Sequence, residues 1–238
     1  MKVNALLRSP ELREKVDREW YRLTKKYSEL YEVMPNKHMQ RTELSFHEYV
    51  KLLGYLEFAL RTLEGSIVEI GVWKGKSLAL MSRLSGKNHQ TIGVDPCEIE
   101  GQFEELSYFK DRLFPNSKIV ADYSQNAIEK VLDISTKIKL LHIDGNHARE
   151  NVWMDFLMYE RFVVPGGCVV FDDYIDDKYS PDVRPTVDKM LSLGLFSDYH
   201  VIGSVPEFEN SYLLVKKRSI RHRMLKRAGQ FTRLLYRR

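Results

Sequence analysis

The chain has 238 residues, 43% hydrophobic and 29% charged, a composition of globular proteins with a substantial core in one or two domains. It carries 37 Lys and Arg against 33 Asp and Glu, but ten of the basic residues and none of the acidic ones fall in 216–238, so an acidic body ends in a basic tail. That asymmetry argues against a general nucleic-acid binder, the lack of a long apolar run argues against a membrane span, and the N-terminus has no secretory signal, which points to the cytoplasm.

Residues 1–34 read as helix in two pieces, broken at Ser9-Pro10, where the serine caps and the proline starts the second piece. Trp20, Leu23, Tyr27, Leu30 and Tyr31 recur at spacings of three and four, an apolar stripe that needs a surface to pack on. The polar stretch around Pro35 reads as a loop and, over 34–44, as a candidate lid. A second helix is expected over 45–63, with Ser45 and Glu48 as a capping box. A β-branched run, 66–71, then enters Gly71-Val72-Trp73-Lys74-Gly75-Lys76-Ser77 and a helix. Gly71 and Gly75 allow a sharp turn close to a ligand, and the helix N-terminus offers free N–H groups to it.

From there strands and helices alternate. Strands are predicted at 91–95, 117–121, 138–144 and 168–171, with helices at 101–113, 125–132, after Gly145-Asn146-His147 through Tyr159, and at 183–193. The last two apolar runs, 199–205 and 211–215, are close enough to form a hairpin. The expected fold is α/β: a Rossmann-like, doubly wound, seven-stranded, mostly parallel sheet with an antiparallel final strand, plus N-terminal helices and a basic C-terminal helix. Cys97 and Cys168 lie in no Cys-x-x-Cys motif and read as reduced thiols.

Acids close the strands: Glu69, Asp95, Asp122, Asp144 and the pair Asp172-Asp173. In an open α/β sheet ligands bind beyond the carboxyl ends of the strands, so these acids should line one edge. Asp95 stands where an acid accepts hydrogen bonds from the ribose of an adenosine-containing cofactor. A phosphate-loop nucleotidase is disfavoured, since Gly71 and Gly75 enclose three residues where that motif needs four, and a dinucleotide dehydrogenase lacks its Gly-x-Gly-x-x-Gly. If strands four and five are neighbours, Asp144, Asp172 and Asp173 converge, and three carboxylates that close call for a hard divalent cation, with Mg²⁺ the first choice. His147, three residues past Asp144, reads as a catalytic base or as a structural histidine.

Together, Glu69-x-Gly71-x-x-x-Gly75-x-Ser77, Asp95, Asp122-Tyr123-Ser124, His142-Ile143-Asp144-Gly145-Asn146-His147, Pro165-Gly166-Gly167 and Phe171-Asp172-Asp173-Tyr174 resemble the class I S-adenosylmethionine-dependent methyltransferases. Within these the chain is most similar to the metal-dependent sugar O-methyltransferases of the macrocin and aminocoumarin type, with cephalosporin-hydroxylase-like proteins sharing the pattern. The resemblance implies a methyltransferase domain over 45–215 between an N-terminal segment, 1–44, and the tail, 216–238. It implies that Glu69, Gly71, Gly75 and Ser77 hold the amino-acid end of S-adenosylmethionine, Asp95 its ribose and Asp122 with Tyr123 its adenine. It implies Mg²⁺ on Asp144, Asp172 and Asp173. Related catechol-type enzymes carry a lysine base where this chain has His147, which leaves the base open between His147, Asp144 and a hydroxyl on the metal.

The implied reaction is methyl transfer to a hydroxyl of a sugar or glycan, lipid-linked or part of a natural-product glycoside. The other reading is a non-catalytic scaffold that keeps the fold and uses its tail to bind membrane or nucleic acid. In that tail Ile220, Met224, Ala228, Phe231 and Leu235 share one helical face among basic residues, a pattern for peripheral contact with an anionic membrane through 217–238, for packing on the acidic body or on a partner in a homo-oligomer, or for a solvated disordered tail.

Overall fold

The computed structural model describes residues 9–38, 47–86, 89–205 and 207–218. The amphipathic tail face from 220 onward, the Ser45 cap and most of the 34–44 segment lie outside the described residues. Five strands, β1 (Ser66–Ile70), β2 (Thr91–Val94), β3 (Lys118–Val120), β4 (Ile138–Ile143) and β5 (Val163–Phe171), run parallel in the order β3-β2-β1-β4-β5. The sheet ends in β7 (Phe208–Lys216) and β6 (Tyr199–Val205), with β7 antiparallel to both of its neighbours. Seven strands with one reversed is the expected sheet.

The inner parallel strands β1, β2 and β4 are buried along their whole length because helices cover both faces of the sheet. Ile67, Leu140, Cys168 and Val170 face one layer, α1 (Pro10–Val33), α2 (Lys51–Leu60), α3 (Lys76–Ser85) and α4 (Gln102–Leu113). Val68, Ile70, Val94, Leu141, Ile143 and Phe171 face the other, α5 (Ser124–Ile134), α6 (Arg149–Tyr159) and α7 (Val183–Ser192). Two boundaries differ from expectation. The helix expected over 45–63 is a 3-10 turn, Glu48–Val50, followed by α2. Strand β5 starts at Val163, so Pro165-Gly166-Gly167 lies inside it; the register with β4 shifts there, and Gly167 lets the backbones close, since a Cβ would stand 2.8 Å from the Lys139 carbonyl oxygen.

Helix α1 fixes the glycine turn in place. Ser9 caps it by accepting from the Leu12 N–H, and Trp20, Leu23, Tyr27 and Tyr31 bury the predicted stripe, at about 2 kcal/mol for each fully buried side chain. The Tyr27 hydroxyl donates to the Lys74 carbonyl (3.1 Å), and the Lys74 ammonium, 1% exposed, pairs with Glu105 on α4 at 3.0 Å. The chain leaving α1 reaches the same carboxylate, with the His38 N–H on Glu105 Oε1 at 2.7 Å. Among the described residues no helix is long and apolar enough to cross a membrane.

Candidate active site

Strand register lines up the acids. Ile70 pairs with Val94 and with Ile143, and Ile143 with Phe171, so the next residue of each strand, Asp95, Gly71, Asp144 and Asp172, falls in one row at the carboxyl edge. The row is tied by Gly71 N–H to the Val94 carbonyl, Asp144 N–H to Ile70 and Asp172 N–H to Ile143, at 2.8–2.9 Å. Gly71, at φ +82°, passes so near β4 that a Cβ would stand 1.9 Å from the Asp144 carbonyl oxygen.

Beyond the ends of β1, β2 and β4 lies a cavity of about 550 Å³, lined among others by Gly71, Trp73, Asp95, Tyr123, Ser124 and Asp144. Its size suits a nucleoside-sized ligand. Asp95 shapes its floor: Oδ2 accepts from the Val72 and Trp73 N–H groups (2.8 and 2.9 Å), and Oδ1 from the Cys97 N–H and the Gln102 amide (2.8 and 2.9 Å). These four bonds from the protein fix the Asp95 carboxylate at the cavity wall.

Several residues assigned to the cofactor do other work. Glu69 is fully buried and off the cavity wall, because strand alternation turns it toward α3; its Oε1 takes the Ser77 hydroxyl and stands 2.9 Å from His142 Nδ1. Ser77 is used in the same bond. Gly75 is the left-handed N-cap of α3, packed so that a Cβ would meet the Phe114 ring at 2.6 Å. Asp122 turns away to Lys130 (2.6 Å), Asn126 and the Tyr123 N–H. Of the adenine pair only Tyr123 reaches the cavity, its hydroxyl bonded to Glu98. Sequence reasoning missed Ser124 as a wall residue, and its partner Asp155, which lies eleven residues beyond Asp144 on α6.

Asp155 is a measurable feature of this wall. Burial pushes its carboxyl up to about 6, against the lowering bond from Ser124, from an ordinary value of 3.8. A folded-state value above the unfolded one means the native chain holds an extra proton between the two, so stability falls as pH rises from 3.8 through about 6. Asp155→Asn should therefore stabilise the ligand-free protein by roughly 1–3 kcal/mol in denaturant melts at alkaline pH and be near neutral below the lower value. An equal difference at both pH values would contradict the buried-charge account.

Asp144 also belongs to an acidic cluster at the mouth. Asp144 Oδ1 lies 3.7 Å and Asp173 Oδ2 3.3 Å from His147 Nε2, and the three residues each offer a donor atom within 4.8 Å of one another. His147 Nδ1 is 2.8 Å from the Ser180 hydroxyl, which donates to Asp173 Oδ2 at 2.8 Å, while Asn210 donates to Asp173 Oδ1 at 2.7 Å. The nearby carboxylates of Asp144 and then Asp173 raise the His147 pKa, against the lowering effect of burial.

Asp172 does not complete the expected trio of aspartates. Its Oδ2 lies 3.9 Å from His142 Nε2, and its buried Oδ1 has no hydrogen-bond partner. Burial, then the charge of Asp144, pushes the Asp172 carboxyl well up. Burial lowers the neighbouring His142, but its bond to Glu69 together with the charges of Glu69, Asp144 and Asp172 outweighs that and lifts it to about 9. The converging set is therefore Asp144, His147 and Asp173. Its two carboxylates fit a small divalent cation, because such close like charges repel without one, and His147 Nε2, which lacks a hydrogen-bond partner, stands beside them.

Residues 68–174 match the family model described as a methyltransferase domain. The uncharacterized protein R132 of Acanthamoeba polyphaga mimivirus is 37% identical over 172 residues, 68% of this chain and 77% of that one. Among solved structures, the O-methyltransferase NovP superposes with a TM-score of 0.62 at 15% identity, over 85% of this chain and all of that one. CalS11, a TDP-rhamnose 3'-O-methyltransferase of calicheamicin biosynthesis, does so with a TM-score of 0.55 at 17% identity, over 82% and 93%.

Proposed function

This chain belongs to the class I S-adenosylmethionine-dependent methyltransferases, and we propose that within them it is a Mg²⁺-dependent O-methyltransferase acting on a sugar hydroxyl. One observation carries the reading: Asp144 stands both in the wall of the cofactor-sized cavity and in the Asp144–His147–Asp173 cluster, so methyl donor and acceptor would meet at its side chain. The sugar preference draws on the likeness to CalS11, whose acceptor is TDP-rhamnose.

The donor supplies a methyl already activated on a sulfonium. Asp144 and Asp173 would hold Mg²⁺, which would supply Lewis acidity that lowers the pKa of a bound hydroxyl. The chain's own part is positioning and proton removal. Gly71, Trp73 and Tyr123 shape the donor cavity, and Asp144 with Asp173 orients the acceptor hydroxyl toward its inner end. His147 Nε2 takes the hydroxyl proton as the new O–C bond forms and the C–S bond breaks, giving a methyl ether, S-adenosylhomocysteine and one proton passed to solvent.

The test incubates purified chain with S-adenosylmethionine, Mg²⁺ and a panel of nucleotide sugars and free glycans, and reads S-adenosylhomocysteine and the methylated product by mass spectrometry. The expected result is turnover that needs both a sugar and the metal and stops in excess chelator. Turnover untouched by chelator removes the metal from the reading, and turnover confined to amines or phenols removes the sugar.

A further inference from the structure

We propose that Ser180 is a positioning residue that holds His147 in the tautomer with the proton on Nδ1, so that the bare Nε2 lone pair faces the gap between Asp144 and Asp173. The argument is one of proton count. The Ser180 hydroxyl lies 2.8 Å from Asp173 Oδ2 and 2.8 Å from His147 Nδ1, and it has a single hydrogen. An ionised Asp173 can only accept, and its other oxygen already accepts from Asn210 at 2.7 Å. The hydroxyl hydrogen therefore goes to Asp173, and the remaining contact is satisfied only if Nδ1 carries a hydrogen and donates to Ser180. In a neutral ring that leaves Nε2 without a proton.

The surroundings of Nε2 agree. It has no hydrogen-bond partner and faces only acceptors, Asp173 Oδ2 at 3.3 Å and Asp144 Oδ1 at 3.7 Å. A lone pair set against two carboxylate oxygens is a place that favours an incoming proton or cation. With the opposite tautomer the ring would already hold a proton there, directed at the carboxylates, and could take none from a hydroxyl. Ser180 is 2% exposed between the exposed Tyr179 and Pro181, so its hydroxyl is turned inward to this one contact pair.

This deepens the proton-transfer role given to His147 and rests on that reading only for its activity arm. The direct test is nitrogen-15 NMR of histidine-labelled full chain in chelator, at alkaline pH where the ring is neutral, with His147 assigned by the signal lost in His147→Gln. The expected pattern is a protonated Nδ1 and a bare Nε2, reverting in Ser180→Ala to the Nε2–H form that a histidine side chain in water favours. A wild-type ring protonated on Nε2, or an unchanged pattern in Ser180→Ala, overturns the proposal. In the activity arm Ser180→Ala should lower kcat about ten- to a hundredfold with the donor KM unchanged, and Ser180→Thr should restore it. Absence of sugar methylation would defeat the functional reading and leave the NMR result to stand by itself; sugar methylation with the wrong tautomer would defeat only the role of Ser180.

Discussion

Gly71→Ala should lower the melting temperature by about 10 °C or more and abolish S-adenosylmethionine binding, as read by calorimetric melts and isothermal titration of the same preparation. Two costs add. An alanine at φ +82° is held in the left-handed region, which is worth roughly 1–2 kcal/mol. The larger one is contact: the new Cβ would lie 1.9 Å from the Asp144 carbonyl oxygen and 2.4 Å from its carbon, and both are backbone, so no side chain can swing aside. The ends of β1 and β4 would have to part, breaking the Asp144 N–H to Ile70 carbonyl bond of 2.8 Å at the cavity's edge. Gly86→Ala is the control, since that glycine has φ +67° but nothing within 4 Å of a built Cβ. It should show the backbone cost alone. Equal effects at the two positions would mean that close approach at Gly71 does not matter.

The contrast between those glycines also shows what the sequence could reveal. Two glycines around a turn that links a β-branched run to a helix made the β1–α3 junction readable, and short apolar runs ending in acids made β2 and β4 readable to within one residue of their ends. What a linear pattern does not give is the direction of a side chain at a strand end. Glu69 and Asp95 both close strands, yet Glu69 alternates inward onto Ser77 and His142, while Asp95 folds back onto the N–H groups of the turn itself. Pro165-Gly166-Gly167 read as a loop because proline and glycine usually end strands, whereas here they sit at a register shift inside β5. Ser180 carried no signal at all: it meets His147 across 33 residues of sequence, in a loop whose path no local pattern predicts.

The convergence of carboxylates, by contrast, was legible as chemistry before it was legible as geometry. Adjacent parallel strands that both end in aspartate must bring charge together, and the pairing of Ile143 with Phe171 does so. The membership shifts by one residue because Asp173, at φ +56°, leaves the strand direction and turns its side chain to His147, while Asp172 keeps it and points inward to His142. One aspartate of the pair thus serves the open cluster and the other the buried network behind it.

That division makes Asp173→Asn the sharpest probe of the chemistry. The change should cut methyl transfer about a thousandfold, some 4 kcal/mol of barrier, while donor affinity stays within about twofold of wild type. The fold should survive, because asparagine is nearly isosteric and tolerates φ +56° as well as aspartate does. Its carbonyl can keep the bond from Ser180, and Asn210 can flip its amide to accept from the new NH₂ group. Donor binding should survive because Asp173 is not part of the donor cavity wall. What is lost is one of the two negative charges that, in the proposed reaction, would hold the cation and draw the proton to His147. The melting temperature should hold or rise, since Asp173 is one of the charges that press the buried Asp172 carboxyl upward. Measured together by turnover, titration calorimetry and melting, a retained rate would remove Asp173 from the reaction, and a collapse of donor binding would mean that the cluster and the cavity are a single site.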